Sequence, residues 1–197
     1  MFSNPPRIMG KIFELIADSA LEILDSCYDE CHVCNRTDID LYAYQGKLHL
    51  ENGKVDDDIY AACASCIAQC NLTHSCDFAY LEIIDRYLGL KNLDEEAYVQ
   101  NKNMLAEKYQ KTPDIPIFMQ YDDRPLCCND IAEFTGYPKD AEECYDLTEK
   151  AIYWEKQVTV KSEFYNFRKY GSPEGKRDIA FFCCKHCQTR YFTFQFT

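Results

Sequence analysis

Cys31-His-Val-Cys34 and Cys63-Ala-Ser-Cys66 are the two stretches that decide the fold of this chain. Each is a Cys-x-x-Cys pair, and residues 35–62 separate them. A pair at this spacing turns two thiolates toward one point, and an insert that folds back brings the pairs together around tetrahedral zinc. Closed four-sulfur sites usually stabilise a fold. These four cysteines therefore predict architecture rather than a reaction.

The insert between the two pairs is predicted to form a small antiparallel sheet. Asn52-Gly53 follows two apolar segments at residues 41–44 and 48–50. Asn-Gly favours a two-residue hairpin turn because both residues tolerate positive φ. Residues 59–61 would add a strand that leads into Cys63 and Cys66, as in a zinc ribbon.

A second metal site is predicted near the end of the sequence. Cys184-Lys-His-Cys187 lies between two predicted strands, residues 179–182 and 191–196, and the second strand alternates so as to bury one face. Cys127 and Cys128 are the candidates that complete a four-cysteine site with it. Zinc is the expected metal at both sites, although thiolates also bind iron and iron–sulfur clusters.

Helical periodicity occurs in several other segments. Apolar residues at three- and four-residue spacing predict an amphipathic helix over about residues 6–27, which packs on its own core or binds a partner. The predicted division is therefore an N-terminal helix at 1–30 and one Cys-rich domain at 31–197. Further helices are predicted at 75–88, with Ser75 as N-cap, and at 93–109, 139–154 and 162–170.

A short helix is also predicted at residues 131–134, with Asn129 or Asp130 as its cap. Its positive end would favour thiolates at Cys127 and Cys128. The predicted class is thus α+β, with small antiparallel zinc-ribbon-like sheet elements and several packed helices.

The charge balance restricts the partners. The chain has 21 basic and 33 acidic residues, a net charge of −12, and no basic block, so a nucleic-acid surface is not expected. An acidic surface suits a basic protein partner, or it only keeps the protein in solution. Thirteen cysteines without a recognisable export signal predict a reducing cytoplasm. Acidic residues at Glu14, Asp18 and Glu22 interrupt the first apolar segment, so no membrane span is expected.

The order of these motifs resembles the CbrC family, which is named for a bacterial protein linked to colicin tolerance. The resemblance spans about residues 31–197. The passages that resemble it are Cys31-x-x-Cys34, Cys63-Ala-Ser-Cys66-Ile67-Ala68, the stretch from Lys111-Thr112-Pro113 through Cys128-Asn-Asp130 to Phe134 and Gly136, and Phe182-x-Cys184-x-His-Cys187. Cys127-Cys128 stands where the family usually has His-Cys, and zinc accepts either ligand.

The resemblance implies a cytoplasmic zinc-binding interaction protein that confers tolerance or immunity by binding a basic protein toxin. It implies no enzymatic activity, and no catalytic or organic-cofactor residue is predicted. One alternative is a zinc- or thiol-dependent enzyme that uses Cys127, Cys128, Cys184 and Cys187, with Asp130 or His186 as the acid–base group. Another is a structural subunit of a larger assembly, with the last strand as a pairing edge.

Overall fold

The strands form three separate sheets, and together with the helices they confirm the predicted α+β class. The structure is a computed structural model that describes residues 10–25, 27–74, 80–118, 120, 122–155, 158–159, 166–175 and 177–195. One core cluster joins the first sheet, the helices after it and part of the last sheet. A smaller cluster fills the other face of that last sheet.

The first sheet contains the predicted insert. Strands β1 (Leu41–His49), β2 (Val55–Cys63) and β3 (Leu72–His74) are antiparallel in the order β2-β1-β3. The hairpin at Asn52-Gly53 is confirmed, with Gly53 at φ 80°. Its loop spans residues 50–54 rather than two residues, because the Leu50 N–H donates to the Lys54 carbonyl. Helix α1 (Ala64–Gln69) follows β2 directly.

Two longer helices follow this sheet in the chain and pack against each other, and the second also contacts β3. Helix α2 (Tyr80–Gly89) and helix α3 (Glu95–Gln110) confirm the predictions at 75–88 and 93–109. The Asp94 side chain accepts a hydrogen bond from the Ala97 N–H at 2.8 Å and caps α3. Ser75, the predicted cap of α2, lies outside the described residues.

Residues 131–134, predicted as a helix, belong instead to two strands and the link between them, and Asn129, one of its two predicted caps, lies in a turn. Strands β4 (Leu126–Cys127) and β5 (Asp130–Ile131) pair antiparallel. Cys128 and Asn129 between them have φ values of 53° and 60°. Positive φ at both central residues is typical of a type I′ hairpin turn, which asparagine tolerates well. The helix prediction was therefore wrong, and so was the helix end predicted beside Cys127 and Cys128.

The last sheet has five strands in the order β6-β9-β10-β7-β8. These are β6 (Glu133–Gly136), β7 (Ile152–Glu155), β8 (Val158–Thr159), β9 (Ile179–Cys183) and β10 (Arg190–Phe194). Strand β10 is parallel to β7, and the other pairs are antiparallel. Helices α4 (Ala141–Glu149) and α5 (Phe167–Tyr170) contact each other beside this sheet.

The position of β10 corrects the prediction of a one-faced terminal strand. Tyr191, Phe192 and Thr193 are all buried, so both faces of the strand are covered. Strand β10 also has a neighbour on each side and offers no free edge for pairing with another protein. The helix predicted at 139–154 is wrong in its last residues, because 152–155 form β7.

The N-terminal segment is not the predicted amphipathic helix. Within residues 10–25 it contains one 3-10 turn, Asp18–Ala20, and no α-helix. It runs instead beside β6: the Ala17 N–H donates to the Phe134 carbonyl at 2.9 Å, and the Phe134 N–H donates to the Leu15 carbonyl at 2.8 Å. The buried side chains in this segment are Phe13, Leu15, Ile16 and Ala17. Residues 6–9 of the predicted helix lie outside the described residues.

Candidate metal centres

The turn at residues 31–34 is here called the first knuckle, and the turn at residues 184–187 the second knuckle. The first cysteine tetrad forms where the first knuckle meets the junction of β2 and α1. The sulfur atoms of Cys31, Cys34, Cys63 and Cys66 all lie within 4.8 Å of one another and could hold a metal ion. The Cys34 and Cys63 sulfurs are 4.0 Å apart. Zn–S bonds of about 2.3 Å place the sulfurs of a tetrahedral site about 3.8 Å apart, which agrees with this spacing. Cys34 is exposed, and the other three cysteines are buried.

The second tetrad joins the β4–β5 turn to the turn between β9 and β10. The sulfurs of Cys127, Cys128, Cys184 and Cys187 also lie within 4.8 Å of one another. The Cys127 sulfur is 3.8 Å from that of Cys128 and 3.4 Å from that of Cys187. The structure thus brings together the four residues that the sequence grouped. Cys128 and Cys187 are exposed, so this tetrad is more open to solvent than the first.

Both Cys-x-x-Cys turns have the same backbone hydrogen bonds. In the first, the Cys31 N–H donates to the Arg36 carbonyl at 2.9 Å, and the Asn35 N–H donates to the Cys31 carbonyl at 2.8 Å. In the second, the Cys184 N–H donates to the Thr189 carbonyl at 2.8 Å, and the Gln188 N–H donates to the Cys184 carbonyl at 3.0 Å.

In each knuckle, the residue that follows the second cysteine has a left-handed backbone conformation, with φ 56° at Asn35 and φ 60° at Gln188. The two sites therefore share one knuckle conformation, although residues 32–33 and 185–186 differ in sequence.

The partners of these knuckles differ in local structure. Cys63 and Cys66 lie at the start of α1, where Cys63 is the N-cap residue. The Cys63 backbone N–H donates to the Cys31 sulfur at 3.3 Å, and this hydrogen bond joins the start of α1 to the first knuckle. Cys127 and Cys128 lie instead at a hairpin turn. The strand predicted to lead into Cys63 is confirmed as the end of β2, but Cys63 and Cys66 do not form the predicted zinc-ribbon turn, because Cys66 lies in α1.

Each tetrad contains one thiol whose pKa is near or below neutrality. Burial acts to raise the pKa of Cys63, but hydrogen bonds from Ser65 and from Cys66 hold it at about 7. Hydrogen bonds from the hydroxyl and the backbone N–H of Thr189 lower the pKa of Cys187 to about 6. Burial raises the pKa of Cys66 and of Cys127. One thiolate in each tetrad is accordingly available near neutral pH, and metal binding displaces the remaining protons.

A network of charged side chains lies beside the second tetrad. Lys108 of α3 donates to Glu14 and to Asp130 at 2.9 Å each. Lys185, whose side chain is 6% exposed, donates to Glu14 at 2.6 Å and lies 3.4 Å from Asp130. The His186 Nε2 atom is 3.1 Å from Asp130. These contacts fix the second knuckle against α3 and the N-terminal segment.

Of this network, the sequence analysis predicted Asp130 and His186 as acid–base neighbours of the second tetrad. Spacing contains no signal for Glu14 and Lys108, because both reach the network from distant parts of the chain.

The histidines near the first tetrad have other partners. The His32 Nδ1 atom lies 2.9 Å from the Asp58 carbonyl oxygen, and the His49 Nε2 atom lies 2.8 Å from the Thr73 hydroxyl. The nitrogens of His74 lie 3.2 Å from Asp114 and 3.3 Å from the Tyr109 carbonyl. These three histidines thus contact partners other than the cysteine thiols.

A groove of about 560 Å³ opens between the N-terminal segment, α4 and the last sheet. Phe181, Phe182 and Leu147 contribute apolar surface, while Lys139 and Arg190 contribute charge. Neither cysteine nor histidine is among the residues that line it. The groove therefore adds no metal ligand or thiol nucleophile to either tetrad.

No family model, curated protein or solved structure matches this chain. The resemblance to the CbrC family therefore stays a prediction from the motifs. Among the described residues, no helix is long and apolar enough to cross a membrane.

Proposed function

We propose that this chain is a zinc-stabilised interaction protein, in which each cysteine tetrad binds one structural zinc ion. The observation that supports this most directly is the convergence of sulfur atoms. In both tetrads, two pairs of cysteines from distant parts of the sequence bring four sulfurs within 4.8 Å of one another. Four thiolates with this spacing match the coordination shell of tetrahedral zinc.

The ligand set favours a structural role over a catalytic one. Catalytic zinc usually has three protein ligands and an open position for water or substrate, whereas four cysteines complete the tetrahedron. Each tetrad also joins segments that are far apart in sequence, as structural zinc does in small domains. The first site would join the Cys31 turn to α1, and the second would join the β4–β5 turn to the Cys184 turn.

Free thiols in these positions fit a reducing compartment. The twelve cysteines within the described residues are all unbridged. The sulfur separations of 3.4 to 4.0 Å suit ligands of a shared metal rather than disulfides, in which the sulfurs are about 2.05 Å apart. A cytoplasmic location, where thiols stay reduced, is part of the proposal.

The proposed partner is a basic protein, and the resemblance to the CbrC family suggests a protein toxin to which the chain confers tolerance. The net charge of −12 supports this, because opposite charge speeds encounter and disfavours acidic competitors. Binding of this kind weakens as salt rises. Affinity for a cationic toxin that is unchanged between low and high salt would contradict the electrostatic part of the proposal.

The metal part is tested by elemental analysis of the native protein and of matched cysteine variants. We expect two zinc ions per chain, and one in each of the double variants Cys31→Ser/Cys34→Ser and Cys184→Ser/Cys187→Ser. Cys27→Ser changes an exposed cysteine outside both tetrads and should retain both ions. Iron in place of zinc, or equal metal content in all variants, would overturn the proposal.

A further inference from the structure

Three aromatic rings meet on the surface beside the first tetrad. The rings of Tyr28 and His32 are 4.9 Å apart at 81°, and those of His32 and Tyr60 are 6.1 Å apart at 84°. Tyr28 is 37% exposed and Tyr60 is 42% exposed, so both rings offer surface to a partner. Edge-to-face packing of this kind holds each ring in one orientation.

The backbone of β2 fixes the middle ring. The His32 N–H donates to the Ala61 carbonyl at 3.0 Å, and its Nδ1 atom lies 2.9 Å from the Asp58 carbonyl oxygen. The Tyr60 N–H donates to the same nitrogen at 3.3 Å. His32 lies between Cys31 and Cys34, so the metal site and the strand together position the aromatic rings.

Exposed carboxylates stand next to these rings in the sequence. Asp56, Asp57 and Asp58 precede Tyr60 on β2 and are all exposed, and a register shift in the β1–β2 pairing lies at this point. Asp29 and Glu30 follow Tyr28 and are exposed too. Within the described residues, none of these five acids takes part in an ion pair. Their negative charge is therefore not neutralised by lysine or arginine of the described chain.

Strand β2 is the outer strand of its sheet, with β1 as its only strand neighbour among the described residues. We call the surface formed by Tyr28, His32, Tyr60 and Asp56–58 the Tyr60 face. No strand or helix of the described residues pairs with the outer edge of β2 at this surface. The Tyr60 face combines flat aromatic rings with carboxylates that take part in no ion pair with the described residues. Guanidinium groups bind both, by stacking on the ring and by paired hydrogen bonds to the carboxylate.

We propose that the Tyr60 face binds an arginine-rich segment of the partner protein. This inference rests on the proposal above that the partner is basic, and it adds the place and the chemistry of recognition. Arginine fits better than lysine, because its planar group stacks on tyrosine and engages a carboxylate with two N–H donors at once. Lysine offers only a point charge.

The test uses the full-length zinc-loaded protein and a fluorescein-labelled nona-arginine peptide, followed by anisotropy at about 150 mM salt. We expect Asp56→Asn/Asp57→Asn/Asp58→Asn to weaken binding about tenfold. The control, Glu95→Gln/Glu96→Gln/Glu107→Gln, removes the same charge from exposed positions of α3 and should change affinity less than about twofold. Nona-lysine should bind more weakly than nona-arginine.

The tyrosine variants separate recognition from folding. Tyr60→Phe retains the ring and should bind as the native protein does, whereas Tyr60→Ala should bind about tenfold more weakly while retaining its zinc. Equal weakening by the two triple variants would overturn the Tyr60 face and leave the basic-partner proposal standing. No binding of nona-arginine by the native protein would overturn both, and the zinc count would still test the metal sites separately.

Discussion

The sulfur atoms of Cys127 and Cys187 lie 3.4 Å apart, although one belongs to β4 and the other follows β9. Their tetrad has two exposed cysteines, Cys128 and Cys187, whereas the first tetrad has only Cys34 exposed. A chelator or a competing thiol reaches exposed ligands without prior opening of the fold.

We therefore expect the two zinc ions to leave in two phases, with release from the second tetrad about tenfold faster than release from the first. A tenfold ratio corresponds to a difference of about 1.4 kcal/mol between the free energies of opening the two sites. Zinc release is measured with a colorimetric chelator. In Cys184→Ser/Cys187→Ser only the slow phase should appear, and in Cys31→Ser/Cys34→Ser only the fast one. A single phase of unchanged rate in both variants would contradict the assignment.

The buried carboxylate of Asp122 should make stability depend on pH. Burial raises the pKa of Asp122 to about 6 against the opposing attraction of Arg124 and, more weakly, of His74. Because the folded-state pKa exceeds the usual value of 3.8, the unfolded chain ionises first as pH rises. The stability that protonated Asp122 contributes to the fold is fully present below about pH 4 and is lost as pH rises through about 6.

Asp122→Asn removes this titration. The free energy of unfolding of the variant, relative to the native protein, should therefore rise by about 1 kcal/mol between pH 5 and pH 8. Urea unfolding at several pH values measures the difference, with exposed Asp57→Asn as the control. A constant difference between the Asp122 variant and the native protein across this range would disprove the expectation.

The hydrogen bond from Trp154 to Asp123 should be visible in both stability and fluorescence. The indole N–H donates to the Asp123 carboxylate at 3.0 Å, and both side chains are buried. Asp123→Ala leaves the buried N–H without this acceptor, at a cost of about 1–3 kcal/mol. Since Trp154 is the one tryptophan of the chain, its emission reports the change directly.

A double-mutant cycle provides the control for that bond. In a Trp154→Phe background, Asp123→Ala should cost less, because no indole N–H remains to be left unpaired. An equal cost in both backgrounds would show that the effect comes from other contacts of Asp123.

Local signals in the sequence predicted the features that depend on neighbouring residues. Asn52-Gly53 indicated the hairpin of the first sheet, because positive φ is a property of those residues themselves. The Cys-x-x-Cys spacing identified three of the four cysteine pairs, because thiols at this spacing can face one point. The adjacent pair Cys127-Cys128 was assigned to the second tetrad only as the remaining candidate, and the structure places it there. Helix α2 also agrees with its apolar periodicity, since Ile83, Ile84 and Leu88 are buried.

The errors occurred where pairing with a distant segment overrides local preference. Ile12 and Ile23 fitted a helical stripe, yet both are about half exposed, while Phe13 and Leu15 are buried beside β6. Asn129 resembled a helix cap but lies in a turn. Its side-chain oxygen suits an N-cap, while its backbone also tolerates the left-handed angles of a hairpin turn, so the residue type alone does not separate the two. The pairing of the N-terminal segment with β6 produces no periodic pattern in the sequence, and neither does the charged network around Lys185.

The left-handed residue after each knuckle gives a final prediction. Asn35 and Gln188 have φ values of 56° and 60°, a region that asparagine and glycine accept and that β-branched residues strongly disfavour. Asn35→Gly should therefore leave the zinc affinity of the first site nearly unchanged, whereas Asn35→Val should lower stability by about 1–2 kcal/mol and weaken that site. Competition with a zinc chelator measures each affinity.

The second knuckle supplies the matched comparison. Gln188→Val should weaken only the second site, because the two tetrads share no ligand and the distortion is confined to one turn. If Asn35→Val and Gln188→Val each weakened both sites equally, the loss would come from global destabilisation. The common knuckle geometry would then not be what determines zinc affinity at either tetrad.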